Sequence, residues 1–218
     1  MNKISIYNNK GGVAKTTSVI NIAYSMAAKF NKKVLVVDCD AQENCYSFFY
    51  TENADKTIDT NYENIKHIKY DDYLNLTKKK INSFDFVLFD LPPALNDEVK
   101  NIIRDSNKVY VPTILGEFEI AGLKKVTDEV GEKLGGIFVT MYNKDNDAEI
   151  IKQFRSILQD RILDTVVPFS KTVRESQKEG LSLEEYFIKR GVPKIFKNAW
   201  NIVNAYNDLT KEIIEGVE

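Results

Sequence analysis

The sequence predicts an α/β fold: a doubly wound, mostly parallel sheet flanked by helices, with residues 1–218 forming a single domain. Three observations predict it. Short apolar runs alternate with longer segments of helical spacing, as in sheets whose strands are covered on both faces. The first run passes through a glycine pair straight into a helical segment. Aspartates then stand at the C-terminal ends of two further runs, the side on which such sheets hold ligands.

Ile4-Ser5-Ile6-Tyr7 is the first strand, and Ser18 to Ala28 reads as the first helix. Between them lies Lys10-Gly11-Gly12-Val13-Ala14-Lys15-Thr16-Thr17. Strand, glycine turn and helix N-terminus together make a phosphate site, because backbone N–H groups and the helix dipole converge on one point. Gly11 and Gly12 let a phosphate approach the main chain closely. Lys15 would reach the β- and γ-phosphates, and the Thr16 hydroxyl would ligate Mg²⁺. The common phosphate-loop pattern G-x-x-x-x-G-K-[ST] is met imperfectly, since Asn9 and Ala14 stand where it has glycines.

Val34-Leu35-Val36-Val37 is a strand buried on both faces and ends in Asp38-Cys39-Asp40-Ala41-Gln42. Its two carboxylates either serve the ligand edge or cap the next turn. Residues 45–50 read as a short apolar helix end, and 51–73 as a polar surface connection with one edge strand near Ile65. His67, the only histidine, reads as a surface or edge residue. Lys78-Lys79-Lys80 closes a helix before the next strand, where cations suit the dipole. Residues 84–90 form an apolar strand that delivers Asp90 to the same edge, a Walker B arrangement in which a carboxylate fixes Mg²⁺. Pro92 and Pro93 force the chain to turn there.

Residues 108–113, 135–142 and 165–169 supply the later strands. The segment from Lys171 to Lys197 carries seven cations against four glutamates, a local surplus of +3 on a chain of net charge −2. The closing helix, 194–215, sets Ile195, Ala199, Ile202, Val203, Tyr206, Leu209 and Ile213 on one stripe at helical spacing.

Lys10-Gly11-Gly12-x-x-Lys15-Thr16-Thr17 resembles the deviant Walker A motif of the ParA/MinD family of P-loop ATPases, whose signature lysine precedes the glycines. D-x-D at 38–40 and Asp90 followed by Pro92-Pro93 continue the resemblance, which extends from Lys3 to about Ile214. The family has glycine where Ala14 sits and proline where Ala41 sits. The resemblance implies a partition ATPase that binds ATP and Mg²⁺, forms a homodimer with ATP sandwiched at its interface, and holds nonspecific double-stranded DNA. It implies that Lys10 crosses to the partner's phosphates, that Asp40 positions the attacking water, and that Asp38 lies near the Mg²⁺ shell. Catalysis would therefore rest on Lys10, Lys15 and Asp40, and metal binding on Thr16, Asp38 and Asp90. Adenine would lie against Met141, Pro168 and Phe169. Arg174 matches a position used for DNA, with Arg190, Lys194 and Lys197 in the same region. A centromere-binding ParB-like adaptor and a nucleoid-associated place in a bacterial cytoplasm follow from the same resemblance.

The net charge argues against a dedicated histone-like DNA binder. Two cysteines give no disulfide framework and no cluster or zinc ligand set, which sets aside a nitrogenase-reductase-like electron donor. No apolar run approaches roughly 18 residues, so no span is expected. The basic amphipathic tail of a MinD-like membrane switch is not expected either, nor is a helix-turn-helix domain ahead of Met1. A metabolic P-loop enzyme of related fold, or a module that holds ATP without hydrolysing it, are the remaining alternatives.

Overall fold

The computed structural model describes residues 1–49, 62–116 and 119–217. Among these, seven strands form one parallel sheet: β1 (Asn2–Ile6), β2 (Val34–Asp38), β3 (Ile65–Lys69), β4 (Phe86–Asp90), β5 (Lys108–Thr113), β6 (Leu134–Tyr142) and β7 (Ile162–Pro168). Their order is β3-β2-β4-β1-β5-β6-β7. The helices are α1 (Lys15–Ala28), α2 (Asn44–Phe49), α3 (Tyr70–Leu74), α4 (Lys78–Ile81), α5 (Asp97–Asp105), α6 (Glu119–Val130), α7 (Lys144–Leu158), α8 (Thr172–Lys178), α9 (Leu183–Lys189) and α10 (Lys197–Glu215).

The apolar runs are continuous because both faces of the sheet are covered. In β2, Val34 and Val36 join a core shared with α1, α2, α9 and α10, whereas Leu35 and Val37 join one shared with α3, α5, α6 and α7. β1 lies between β4 and β5, so the chain crosses from one half of the sheet to the other over it. The loop after β1 therefore opens at the point where the winding reverses, where open α/β sheets leave a crevice. Register sets Asp90 beside both Ile6 and Asp38, which brings three strand ends to one level.

α10 packs its apolar stripe against β7 and α1: Ile202, Val203, Tyr206, Leu209 and Ile213 are buried. Ile195 departs from the expected stripe and is 80% exposed, because the helix starts only at Lys197, after Pro193. Gly135 is a packing requirement. A Cβ there would lie 2.7 Å from the Tyr110 ring, whose hydroxyl donates to the Ile213 carbonyl at 3.1 Å and ties α10 to β5.

β3 is indeed an edge strand, but His67 on it is 4% exposed, not a surface residue, because α2 covers it with Tyr46 and Phe49. The expected helix end at 45–50 is α2, with Tyr50 outside the described residues, as are 51–61 of the connection and Glu117 and Phe118 ahead of α6. No helix among the described residues is long and apolar enough to cross a membrane.

Candidate nucleotide-binding site

α1 begins without the side-chain caps that open α5 and α7. Asn96 and Asn143 cap α5 and α7 with their side chains, each accepting an N–H from the first turn. The N-cap of α1 is Ala14, which has no cap to offer, and the first turn carries no acidic residue. The leading N–H groups are left for an anion. Gly12 (φ 75°) and Ala14 (φ 64°) both turn the loop through the left-handed region. Gly12 does so freely, whereas Ala14 carries the Cβ penalty of that conformation.

The loop is held from several sides. Asn8 donates its amide to the Pro112 carbonyl at 2.8 Å and accepts the Lys10 N–H at 2.9 Å. The Thr140 hydroxyl, on β6, is shared between the carbonyls of Val13 and Thr113, each at 3.2 Å. Lys15 is 8% exposed, and its ammonium donates to the Lys10 carbonyl at 2.9 Å. Burial lowers the Lys15 pKa, opposed by the charges of Asp90 and Asp40. Lys10 points across the loop to Glu119 at the start of α6, and their charged groups form an ion pair.

Asp90 is 1% exposed, and neither carboxylate oxygen has a hydrogen-bond partner of ordinary geometry among the described residues. Burial pushes its pKa up to about 7, with the Thr16 hydroxyl and the Lys15 charge opposing the rise and Asp38 and Asp40 adding to it. A buried, unpartnered carboxylate facing a threonine hydroxyl fits a hard divalent cation, which takes oxygen ligands. Asp38 is also buried, but its oxygens accept N–H groups from Asp40 (3.0 Å) and Tyr46 (2.7 Å). Burial raises its pKa, and those two amides hold it down. Asp40 accepts the Gln42 N–H at 3.0 Å. Both readings of the strand-end pair are therefore present: the carboxylates close local turns, and they do so at the ligand edge.

A cavity of about 610 Å³ opens beside the loop, lined by Ala14, Met141, Pro168, Phe169 and Arg174 among others. Met141 adopts φ 55° at the end of β6, and Phe169 is 57% exposed. Two left-handed non-glycine residues, Ala14 and Met141, thus face one cavity, and such strain gathers at ligand sites. Gln177 of α8 closes part of the rim by donating to the Thr17 hydroxyl at 3.1 Å.

The basic segment is more neutralised than its charge suggests. Arg190 pairs with Glu179 at 2.5 Å and lies over the Tyr186 ring. Lys194 pairs with Glu184 at 3.3 Å and lies over Trp200. Arg174 lines the cavity beside Phe169, and Lys197 is exposed at the first turn of α10. The four do not converge on the loop as Lys15, Thr16 and Asp90 do.

Asn8, Glu119, Thr140 and Gln177 were not evident as site residues from the sequence. Asn8 directly precedes the motif and was within reach. The others act across 100 residues or more, and no local pattern pairs them with the loop.

A model of the CobQ/CobB/MinD/ParA nucleotide-binding domain matches residues 4–183. The chromosome-partitioning ATPase Soj of Treponema pallidum is 28% identical, over 82% of this chain and 87% of that protein. Among solved structures, MinD of Pyrococcus horikoshii, complexed with Mg-ADP, superposes with a TM-score of 0.72 at 20% identity, covering 97% of this chain and 95% of that one. A plasmid partition protein of Borrelia burgdorferi bound to AMPPNP gives 0.68 at 20% identity, covering 99% and 97%. At such identities the two structures establish the fold alone.

Proposed function

The chain belongs to the CobQ/CobB/MinD/ParA family of nucleotide-binding domains, and from that premise we propose that it is an ATP-hydrolysing, dimerising switch for partitioning DNA. The observation that carries the proposal is the meeting of Lys15, Thr16 and an unpartnered, buried Asp90 at one sheet edge, beneath an uncapped helix. The relatives named as partitioning ATPases support the biological role.

The chemistry follows from the residues. The N–H groups of the loop and α1 receive the phosphates, and Lys15 adds a fixed charge with little exposure to water. Thr16 and Asp90, with Asp38 beside them, would hold Mg²⁺, which supplies neutralisation of the phosphate charge. Asp40 orients the attacking water, and positioning with charge stabilisation provides most of the rate. Adenine occupies the cavity against Met141, Pro168 and Phe169. Lys10 reaches the nucleotide of a second copy, so the triphosphate forms part of the contact between subunits. A ligand shifts such an equilibrium only by its differential affinity for the two states, and loss of the γ-phosphate removes that difference.

In the dimer, two copies of Arg174 and Lys197, with Arg190 and Lys194 beside them, form a face for nonspecific duplex DNA. Phosphate contacts add up across the pair and weaken with salt. A centromere-binding ParB-like adaptor would stimulate turnover, and the protein would sit on the bacterial nucleoid. ATP hydrolysis and DNA retention, measured together with ATP and with ADP across a salt series, test the proposal. Slow turnover with ATP-dependent, salt-sensitive retention is expected. Equal retention with ADP would remove the DNA role, and turnover driven by a small molecule in place of DNA would favour a metabolic enzyme.

A further inference from the structure

We propose that Glu119 is a positioning residue that keeps Lys10 within its own subunit, and so sets how readily two nucleotide-bound copies join. The inference rests on the dimerising reading above and concerns a residue that lies outside the loop motif. The Lys10 ammonium is ion-paired with the Glu119 carboxylate, with the lysine side chain 51% exposed and the glutamate 12% exposed.

Glu119 is built to take that cation. It stands at the first residue of α6, where the helix dipole favours a carboxylate. Its N–H donates to the Gly116 carbonyl at 3.1 Å. A Cβ on Gly116 would lie 3.3 Å from the Glu119 Cγ, so the glycine leaves the side chain room to fold over the preceding turn. The same β5–α6 segment also holds the loop through Asn8, whose amide is bonded to Pro112. One end of Lys10 is thus fixed through its backbone N–H to Asn8, and the other through its ammonium to Glu119.

One ammonium cannot sit on Glu119 and on a phosphate across the interface together. Forming the dimer therefore breaks the pair twice, once in each subunit, and the effect on dimerisation is the square of the effect per pair. For a partly exposed ion pair, the dimer constant should change by about 2- to 30-fold.

The test is sedimentation with a slowly hydrolysed ATP analogue, comparing the unsubstituted protein, Glu119→Gln, Lys10→Ala and the double variant. Glu119→Gln should tighten the dimer about 2- to 30-fold, and the same exchange on the Lys10→Ala background should change nothing. A second measurement needs no dimer: acylation of Lys10 in the nucleotide-free protein should be faster in Glu119→Gln. A dimer unchanged or weakened by Glu119→Gln, or an unchanged acylation rate, would overturn the role of Glu119 alone. Absence of any ATP-dependent dimer in the unsubstituted protein would overturn the switch as well.

Discussion

Asp38 and Asp90 are register partners on β2 and β4, yet only Asp38 has its carboxylate hydrogen-bonded. A buried carboxylate with no partner costs stability, and its counterpart with two amide donors costs less. Asp90→Asn is therefore expected to raise the stability of the nucleotide-free protein by about 1–3 kcal/mol while abolishing Mg²⁺-dependent hydrolysis. Asp38→Asn should gain clearly less than Asp90→Asn, or lose, because a neutral amide accepts those N–H groups less well while relieving the burial of the charge. Urea unfolding of both variants checks this. Equal shifts in the two variants would mean that Asp90 is no less well partnered than Asp38.

Ala14 offers a second stability test at the same site. Its φ of 64° carries a penalty for alanine that glycine escapes, and the residue lines the cavity. Ala14→Gly should raise stability by about 1 kcal/mol, since relief of the left-handed strain outweighs the added freedom of the unfolded chain. Chemical denaturation measures it directly. A loss of stability would show that the methyl packs usefully in the folded loop.

Much of this architecture was legible because it is local. The run Val34 to Val37 reads as a strand covered on both faces, and Asp90 ends another, so both ends reach one edge, although only the pairing itself shows that Asp90 stands level with Asp38. Lys15 and Thr16 were readable from the loop itself. The partner of Lys10 was not, since Glu119 lies 109 residues away: the segment 117–123 resembles the family's stretch near the dimer face, but nothing in it points to Lys10. His67 was misread for a related reason. Alternation places it on one side of β3, but only tertiary packing reveals that α2 covers that side. The DNA-facing charge was overstated because Arg190 and Lys194 find glutamates that sequence order does not place beside them.

His67 and Asp90 give folding two opposing pH dependences. Burial, with Lys69 nearby, pushes the His67 pKa down to about 3 from an ordinary 6.5, and its Nε2 has no partner among the described residues. Between those values the unfolded chain binds the proton and the folded chain does not, so the His67 contribution falls as pH falls below about 6.5, whereas that of Asp90, whose pKa is raised to about 7, rises. Each share is about 1.4 kcal/mol per pH unit, or roughly 2 kcal/mol between pH 6.5 and pH 5, and the two nearly cancel in the unsubstituted protein. His67→Phe keeps the ring against Phe49 and removes only the His67 share, so the variant should gain roughly 2 kcal/mol on the unsubstituted protein between pH 6.5 and pH 5. Urea midpoints at the two pH values check it, and an unchanged slope in the variant would remove the His67 share.

Phe169 is exposed at the mouth of the cavity, where an aromatic face is costly unless something stacks on it. Base–aromatic stacking is worth about 1–3 kcal/mol, so Phe169→Ala should weaken nucleotide binding roughly 5- to 150-fold. Because the ring makes little contact in the free protein, folding stability should hardly move. Fluorescent-nucleotide titration beside a thermal melt separates the two. Unchanged affinity would place the base elsewhere.

Asp40 is where turnover and dimer lifetime should part. Its carboxylate lies close enough to influence the charge of Lys15, and one oxygen already accepts the Gln42 N–H, leaving the other for a water. Asp40→Ala removes both functions and confounds water positioning with loss of the turn. Asp40→Asn is the sharper change, because the amide oxygen can still accept from Gln42 while the group no longer takes a proton. If Asp40 acts on water, both variants should lose at least about 100-fold in phosphate release and accumulate as ATP-bound dimers. If it only shapes the turn, Asp40→Asn should hydrolyse ATP at close to the original rate while Asp40→Ala does not. Phosphate release and sedimentation on the same samples distinguish these outcomes, and a fast Asp40→Asn enzyme would send the search for the water-positioning group to another residue.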